Sequence, residues 1–94
     1  MEKRDDEPAR ETLLTFPCVF PIKVMGRRED GFAQSVSEIV QRHADDFSPG
    51  SLEMRPSRNG RYLSLTVTIN ARSKAQLDAL YSDLTKHPMV MMVL

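Results

Sequence analysis

The sequence predicts a single α+β domain in which two helices pack on one face of a four-stranded antiparallel sheet. Segment 62–70 alternates strictly between apolar and polar side chains, as a strand with one buried face does. Segments 32–43 and 74–86 carry apolar side chains at helical spacing. Three shorter apolar segments complete the order β-α-β-β-α-β, and 94 residues are enough for one such domain.

The start of the chain differs from the rest in composition. Residues 1–12 are mostly charged and polar, so we expect a disordered tail there and a single domain over 13–94. Leu13, Leu14 and Phe16 form a short apolar cluster beside that tail. We expect the cluster to pack on the domain, because an exposed group of large apolar side chains is unfavourable.

The first strand is predicted over 19–25, where apolar residues alternate along the segment. Pro21 has no backbone N–H to donate, so we expect regular strand pairing to begin only at Ile22. Gly26 is expected to end the strand, and 27–31 to form a polar turn.

The first helix is predicted over 32–43, where the apolar side chains fall on one stripe. Asp30 is placed to cap the N-terminus of this helix. His43 lies on the apolar side near the C-terminus, where a packing residue would also interact favourably with the helix dipole. Contact with a ligand is the other interpretation of His43.

Two strands and a hairpin turn are predicted in the middle of the chain. Segment 52–56 is short, carries charges and ends at a proline, which is typical of an edge strand. Asn59 and Gly60 form the dipeptide that favours a tight hairpin turn, and it leads into the strand over 62–70.

The last third of the chain is predicted to hold a capped helix and a final strand. Ser73 is the expected N-cap of the helix over 74–86, and Pro88 stops that helix. His87 is expected to be exposed in the turn that follows. Residues 89–94 form the last strand.

The order β-α-β-β-α-β is typical of the ferredoxin-like fold, also called the split βαβ arrangement. In that fold the third strand lies inside the sheet and the second and fourth strands form its edges. One face of the sheet carries both helices, and the other face is open to solvent or to a partner.

No residue pattern in the sequence indicates catalysis or cofactor binding. The chain has no nucleophile-elbow motif, no C-x-x-C motif, no phosphate-cradling glycine loop and no histidine pair at metal spacing. We therefore expect a protein that is not an enzyme, with no catalytic residue, no metal and no cofactor. The single cysteine, Cys18, lies in an apolar run and is expected to be a buried spectator.

The sequence favours a cytoplasmic protein. No apolar run approaches the roughly 20 residues that span a bilayer, so we expect no membrane association. The charged start lacks the apolar core of a signal peptide. One cysteine cannot form an internal disulfide, which fits a reducing compartment.

The charge balance does not favour binding to nucleic acid. Lys and Arg together number 13, as do Asp and Glu, whereas nucleic-acid binders usually show a basic excess. RNA-recognition motifs share the predicted topology and stack bases on sheet aromatics, but here the open face offers only Tyr62. Arg55, Arg58 and Arg61 surround the hairpin and could form a small anion-attracting corner.

The last strand is the most informative surface, because it is apolar on both faces where an edge strand should alternate. The cluster of Leu13, Leu14 and Phe16 could cover it, a second subunit could pair with it, or another protein could bind it. We expect an unidentified protein partner or self-association. The candidate interaction surface comprises Val90, Met91, Met92, Val93, Leu94 and Tyr62.

The chain resembles the YbeD-like family of small bacterial proteins over about 13–94. The resemblance depends on the order and spacing of several short matches. They are Phe16-Pro17, Phe20, Lys23-Val24-Met25-Gly26, Val40-Gln41-Arg42-His43-Ala44, Pro56-Ser57, Gly60, Tyr62, Ile69-Asn70-Ala71, Leu80-Tyr81, Leu84 and Met92-Val93-Leu94. The family commonly has a basic residue where Met91 stands, so the last strand is more apolar here.

The resemblance implies a ferredoxin-like fold similar to the regulatory ACT domain of amino-acid-metabolising enzymes. It also implies a regulatory or adaptor role linked to lipoate metabolism, exerted through protein contacts. The alternative is an ACT-like dimeric sensor of a small molecule such as an amino acid. ACT-like domains bind effectors near the turn after the first strand, which makes Gly26, Arg27, Arg28 and Gly31 a candidate ligand turn.

Overall fold

The structure is a computed structural model that describes residues 15–94. Its elements follow the predicted order, with one additional 3-10 turn between the first helix and the second strand. They are β1 (Cys18–Arg27), α1 (Phe32–His43), the 3-10 turn (Pro49–Ser51), β2 (Glu53–Pro56), β3 (Tyr62–Ala71), α2 (Lys74–Lys86) and β4 (Val90–Val93). The predicted tail over 1–12, together with Leu13 and Leu14, lies outside the described residues.

The four strands form one antiparallel sheet in the order β2-β3-β1-β4. This order confirms the predicted ferredoxin-like fold, with β3 inside the sheet and β2 and β4 at its edges. β1 and β3 are paired from Cys18 opposite Ala71 to Arg27 opposite Tyr62, and these two central strands form the longest pairing in the sheet.

The core lies between one face of the sheet and the two helices. Ile22 and Val24 of β1 are paired with Val67 and Leu65 of β3, and all four side chains are fully buried. The apolar stripes predicted for both helices pack against these four side chains. The buried helix residues are Phe32, Val36, Ile39, Val40, Leu77, Leu80 and Leu84. The other face of the sheet, called the open face below, carries the alternate residues of each strand.

Pro21 does not delay strand pairing, so the prediction that pairing begins at Ile22 is wrong. Pro21 stands opposite Thr68 within the continuous β1–β3 ladder. The backbone of Lys23 forms hydrogen bonds with Leu94, on the β4 side of β1. Backbone N–H and C=O groups alternate in direction along a strand, so residues two apart point the same way. The Pro21 nitrogen therefore also points to the β4 side. β4 has ended at this level, and the missing N–H therefore removes no ladder bond.

The first strand is longer than predicted, and the residue that caps α1 differs from the prediction. Gly26 does not end β1, because its backbone still pairs with Leu63 on one side and Val90 on the other. Asp30 is not the N-cap of α1. Gly31 takes that position with φ of 86°, and no side chain among residues 15–94 caps the helix. A glycine adopts this left-handed conformation without the strain that an aspartate would have.

Side-chain hydrogen bonds join the two helices at the end of α1. His43 Nε2 and Asp83 Oδ2 lie 2.6 Å apart, and Gln76 Nε2 donates to the His43 carbonyl oxygen at 2.7 Å. His43 is half-buried, and these hydrogen bonds show that it links the two helices as well as packing between them. The sequence alone did not predict this link.

The cap predicted for α2 is confirmed, whereas the exposure predicted for two other residues is not. Ser73 Oγ accepts a hydrogen bond from the Gln76 backbone N–H at 3.0 Å. His87 is half-buried rather than exposed, because its Nδ1 accepts from the Met89 N–H at 3.1 Å. Cys18 is half-buried rather than fully buried and packs against the core.

Candidate interaction surface

β4 is an edge strand whose outer backbone groups have no strand beside them in the part of the chain that the structure describes. Leu94 and Lys23 exchange both backbone hydrogen bonds, at 2.8 and 3.1 Å. In an antiparallel ladder the next residue points its N–H and C=O the other way. The N–H and C=O of Val93 therefore point outward, where another strand could pair with them.

A β-bulge interrupts the pairing of β4 with β1. Met92 stands opposite Met25, whereas Val90 stands opposite Gly26, so Met91 is an extra residue on β4. Bulges increase the local twist and turn a side chain out of the regular alternation. The Met91 side chain is accordingly 61% exposed.

The side chains of β4 divide between core and solvent. Val90 and Val93 are half-buried and pack against the core. Met92 and Leu94 are 50% and 62% exposed on the open face, where Met92 lies beside the half-buried Met25. We call Met25, Met91, Met92 and Leu94 the methionine patch. Of the apolar cluster that was one candidate cover for β4, Phe16 packs against the core, and Leu13 and Leu14 lie outside residues 15–94.

Tyr62 does not join the methionine patch, although the sequence grouped it with β4. Tyr62 is the first residue of β3 and pairs with Arg27 of β1. β1 therefore separates Tyr62 from β4. Its ring, 40% exposed, borders a different feature of the surface.

The candidate ligand turn is only partly accessible. Gly26 is buried, and a Cβ there would collide with the Met89 carbonyl oxygen and stand 2.7 Å from the Phe32 ring, so this residue of the turn faces the core. Gly31 caps α1. Arg27 and Arg28 are exposed and line an open groove of about 500 Å³.

We call this feature the arginine groove, and it unites two groups of residues that are distant in sequence. It is lined by Arg27, Arg28, Glu29, Gly60, Arg61 and Tyr62. The Arg28 N–H donates to the Arg61 carbonyl oxygen at 2.8 Å, which extends the β1–β3 ladder by one step. The sequence indicated both basic segments, but only the strand register places them side by side.

The hairpin that carries Arg61 is tied by several hydrogen bonds. Asn59 Oδ1 accepts from the Ser57 hydroxyl at 3.0 Å and from the Arg61 N–H at 3.1 Å. Ser57 Oγ accepts from the Tyr62 N–H at 3.1 Å, and the Gly60 N–H donates to the Ser57 carbonyl oxygen at 2.9 Å. The turn is thus held by its own side chains, so the backbone at Arg61 is well defined.

Residues 15–94 contain neither a candidate membrane span nor a candidate metal site. No helix in that range is long and apolar enough to cross a membrane. No three His, Cys, Asp or Glu side chains within it are grouped so that they could hold a metal ion.

Comparison with known proteins identifies related sequences. Residues 11–94 match the family described as "Protein of unknown function (DUF493)". A UPF0250 protein of Nitrosomonas europaea is 57% identical over 84 residues, which cover 89% of this chain and 97% of that protein. A UPF0250 protein of Ralstonia nicotianae is 53% identical over 87 residues, covering 93% and 90% of the two chains.

Comparison with solved structures supports the fold. The solution structure of protein HP0495 from H. pylori matches with a TM-score of 0.73 at 15% identity, covering 99% of this chain and 98% of that one. The crystal structure of the ACT domain from GTP pyrophosphokinase of Chlorobium tepidum matches with a TM-score of 0.63 at 16% identity. It covers 81% of this chain and 94% of that domain. With its profile match and with relatives more than half identical, the chain belongs to the DUF493 family of UPF0250, or YbeD-like, proteins.

Proposed function

We propose that this chain is a non-enzymatic regulatory or adaptor domain that acts through protein contacts along β4, and that its contact partner is a second copy of the chain. The observation that carries the proposal is the outward-facing backbone of Val93 beside the exposed Met91 and Met92. An exposed edge strand with apolar side chains is a template for pairing with another strand.

A second copy fits β4 because the strand carries no charged side chain. Val90 to Leu94 contains no Lys, Arg, Asp or Glu, so antiparallel pairing of β4 with itself brings no like-charged side chains together. Pairing about a two-fold axis at Met92 lays Val93 of one copy opposite Met91 of the other. The two Met92 side chains then meet on the open face, where the flexible thioethers can adapt to one another.

The likeness to a solved ACT domain motivates the regulatory role in this proposal, and the family resemblance motivates its biological setting. The likeness to an ACT domain from GTP pyrophosphokinase agrees with a module that controls rather than catalyses. The family resemblance supplies the link to lipoate metabolism. Affinity capture of the tagged chain from cells tests that link. Recovery of proteins that make or use lipoyl groups supports it, and their absence contradicts it.

Sedimentation equilibrium of the purified chain tests the contact along β4. We expect a dimer at about 100 μM, a concentration suited to a short strand interface of modest affinity. Val93→Pro removes the outward N–H and leaves the bonds between Leu94 and Lys23, so this variant is expected to be monomeric. Val93→Ala removes more of the side chain than Val93→Pro does but keeps the N–H, and is expected to dimerise.

Two results contradict the proposed contact. One is a wild-type chain that remains monomeric over the whole concentration range. The other is a Val93→Pro dimer as stable as that of Val93→Ala. Far-UV circular dichroism of both variants shows that the comparison is between folded proteins.

The arginine groove favours a second candidate function, the sensing of a small molecule. It is an open site beside the end of β1, and three of the residues that line it are arginines, whose side chains are well suited to binding anions. A thermal-shift screen of amino acids and lipoate tests it, because a ligand at a hundred times its Kd should stabilise the fold by about 2.7 kcal/mol. The absence of any shift in that screen contradicts sensing of these compounds.

A further inference from the structure

We propose that the arginine groove binds the phosphate group of a small metabolite. The site lies at the C-terminal end of β1, beside the start of β3. No residue of β4 lines it, and it does not require a second copy of the chain. The proposal therefore stands or falls separately from self-association. It rests on the charges that line the groove, on their mutual placement and on the rigidity of the hairpin.

The formal charge of the groove matches a phosphate rather than a single carboxylate. Three arginines against one glutamate leave an excess of two positive charges. A phosphate monoester carries about −1.5 to −2 at pH 7, which offsets that excess. A lone carboxylate would leave one positive charge uncompensated. The planar guanidinium fork also suits the oxygens of a phosphate in a bidentate contact.

The two arginines at the centre of the groove stand opposite each other across the β1–β3 ladder. The Arg28 N–H to Arg61 carbonyl bond places them there, one step beyond the pair of Arg27 and Tyr62. Like charges directly opposite on paired strands are destabilising. Among residues 15–94, neither guanidinium group forms an ion pair with a carboxylate. A bound anion between them would relieve this repulsion.

The backbone makes room for the guanidinium group of Arg28. Gly60 adopts φ of 77°, and a Cβ at that position would stand 3.3 Å from Arg28 Nη1. The absence of a side chain at Gly60 lets the guanidinium lie against the hairpin. Glycine therefore serves both the turn and the groove.

The hairpin holds one side of the groove in place before any ligand arrives. The bonds of Asn59 and Ser57 fix the backbone on either side of Arg61. Pre-organised groups lose less conformational entropy when a ligand binds. Tyr62 lines the same groove, and its hydroxyl can donate a further hydrogen bond to a phosphate oxygen.

Titration of the full ¹⁵N-labelled chain with pyrophosphate and with inorganic phosphate tests the proposal by two-dimensional NMR. Sodium chloride and sodium acetate at equal ionic strength serve as the reference titrations. We expect saturable shifts for both phosphates that are confined to the amides of 27–29 and 60–62 and to arginine Nε–H signals. Chloride and acetate should give small, unsaturated shifts.

Arginine variants identify the groups responsible. Arg28→Gln and Arg61→Gln each remove one charge of the opposed pair, and each should weaken phosphate binding at least about tenfold. Arg72→Gln removes another exposed arginine, which pairs with Asp45 and does not line the groove, and should leave the affinity unchanged within about twofold. Without phosphate, Arg28→Gln should unfold at a higher temperature than the wild type, because the repulsion is gone.

Three outcomes overturn the proposal. The first is a set of phosphate shifts no larger than those of chloride at equal ionic strength. The second is equal weakening by Arg28→Gln and Arg72→Gln, which would indicate a diffuse charge effect. The third is binding of single-stranded RNA through these arginines with no binding of either phosphate, which would assign the groove to a polynucleotide.

Discussion

Gly26 lies directly beneath the ring of Phe32, so close that a Cβ on residue 26 would stand 2.7 Å from the Phe32 Cζ atom. Both residues are completely buried or nearly so, at the point where β1 leads into α1. The contact closes the corner of the core between strand and helix. Gly26 lies within a strand, where any residue could adopt the backbone conformation. A glycine is therefore required here because there is no space for a side chain.

Gly26→Ala is expected to destabilise the fold by about 2–3 kcal/mol, because the methyl group must displace the Phe32 ring and the Met89 carbonyl. Urea denaturation followed by circular dichroism measures this loss. Gly50→Ala is the matched control, since nothing lies closer than 4.0 Å to its added Cβ. Equal effects of the two substitutions would show that the collision is absent.

The hydrogen bond between His43 and Asp83 predicts a specific pH dependence. This bond holds the pKa of the Asp83 carboxyl below its ordinary value of 3.8. A carboxyl with a lowered pKa in the folded state stabilises the fold above its unfolded pKa. That stabilisation is lost as pH falls through the folded pKa. The free energy of unfolding should therefore decline below pH about 4 more steeply in the wild type than in Asp83→Asn.

Urea denaturation of both proteins between pH about 6 and about 2.5 measures this difference. His43→Gln should flatten the acid decline as Asp83→Asn does, and the double variant should add nothing further. Identical acid profiles for wild type and Asp83→Asn would contradict the link between the helices.

The direction of the Pro21 nitrogen predicts that this proline is dispensable for stability. Because the nitrogen points past the end of β4, Pro21→Thr should change the free energy of unfolding by less than about 1 kcal/mol. Ile22→Pro should cost about 3 kcal/mol or more, since it removes an N–H that bonds to β3. A large gain of stability in Pro21→Thr, as expected from a restored ladder bond to β3, would show that the assigned backbone direction is wrong.

The fold was predictable from the sequence because burial leaves a clear periodic pattern. The alternation over 62–70 and the helical stripe of α1 each identified an element, and both helices span the predicted residues. Where a glycine stands, periodicity carries no information. Gly26 was therefore expected to end β1, although it continues it, and the role of Gly31 as N-cap was missed.

The candidate surfaces were only partly predictable, because they depend on register and edges. The apolar character of β4 was visible in the sequence, but the bulge at Met91 and the outward direction of Val93 come from pairing geometry. Arg28 and Arg61 are far apart in the chain, and no local pattern indicates that they face each other. Long-range pairing alone creates the groove.

The unequal character of the two sheet edges limits how far the chain can assemble. Self-pairing along β4 uses the same edge of both copies and leaves β2 at each end of the joined sheet. β2 has four exposed residues that include Glu53, Arg55 and Pro56. Charges and proline on an edge oppose further strand addition. The self-pairing proposed for β4 would therefore stop at a closed pair, because neither end of the joined sheet would offer a template for a growing fibre.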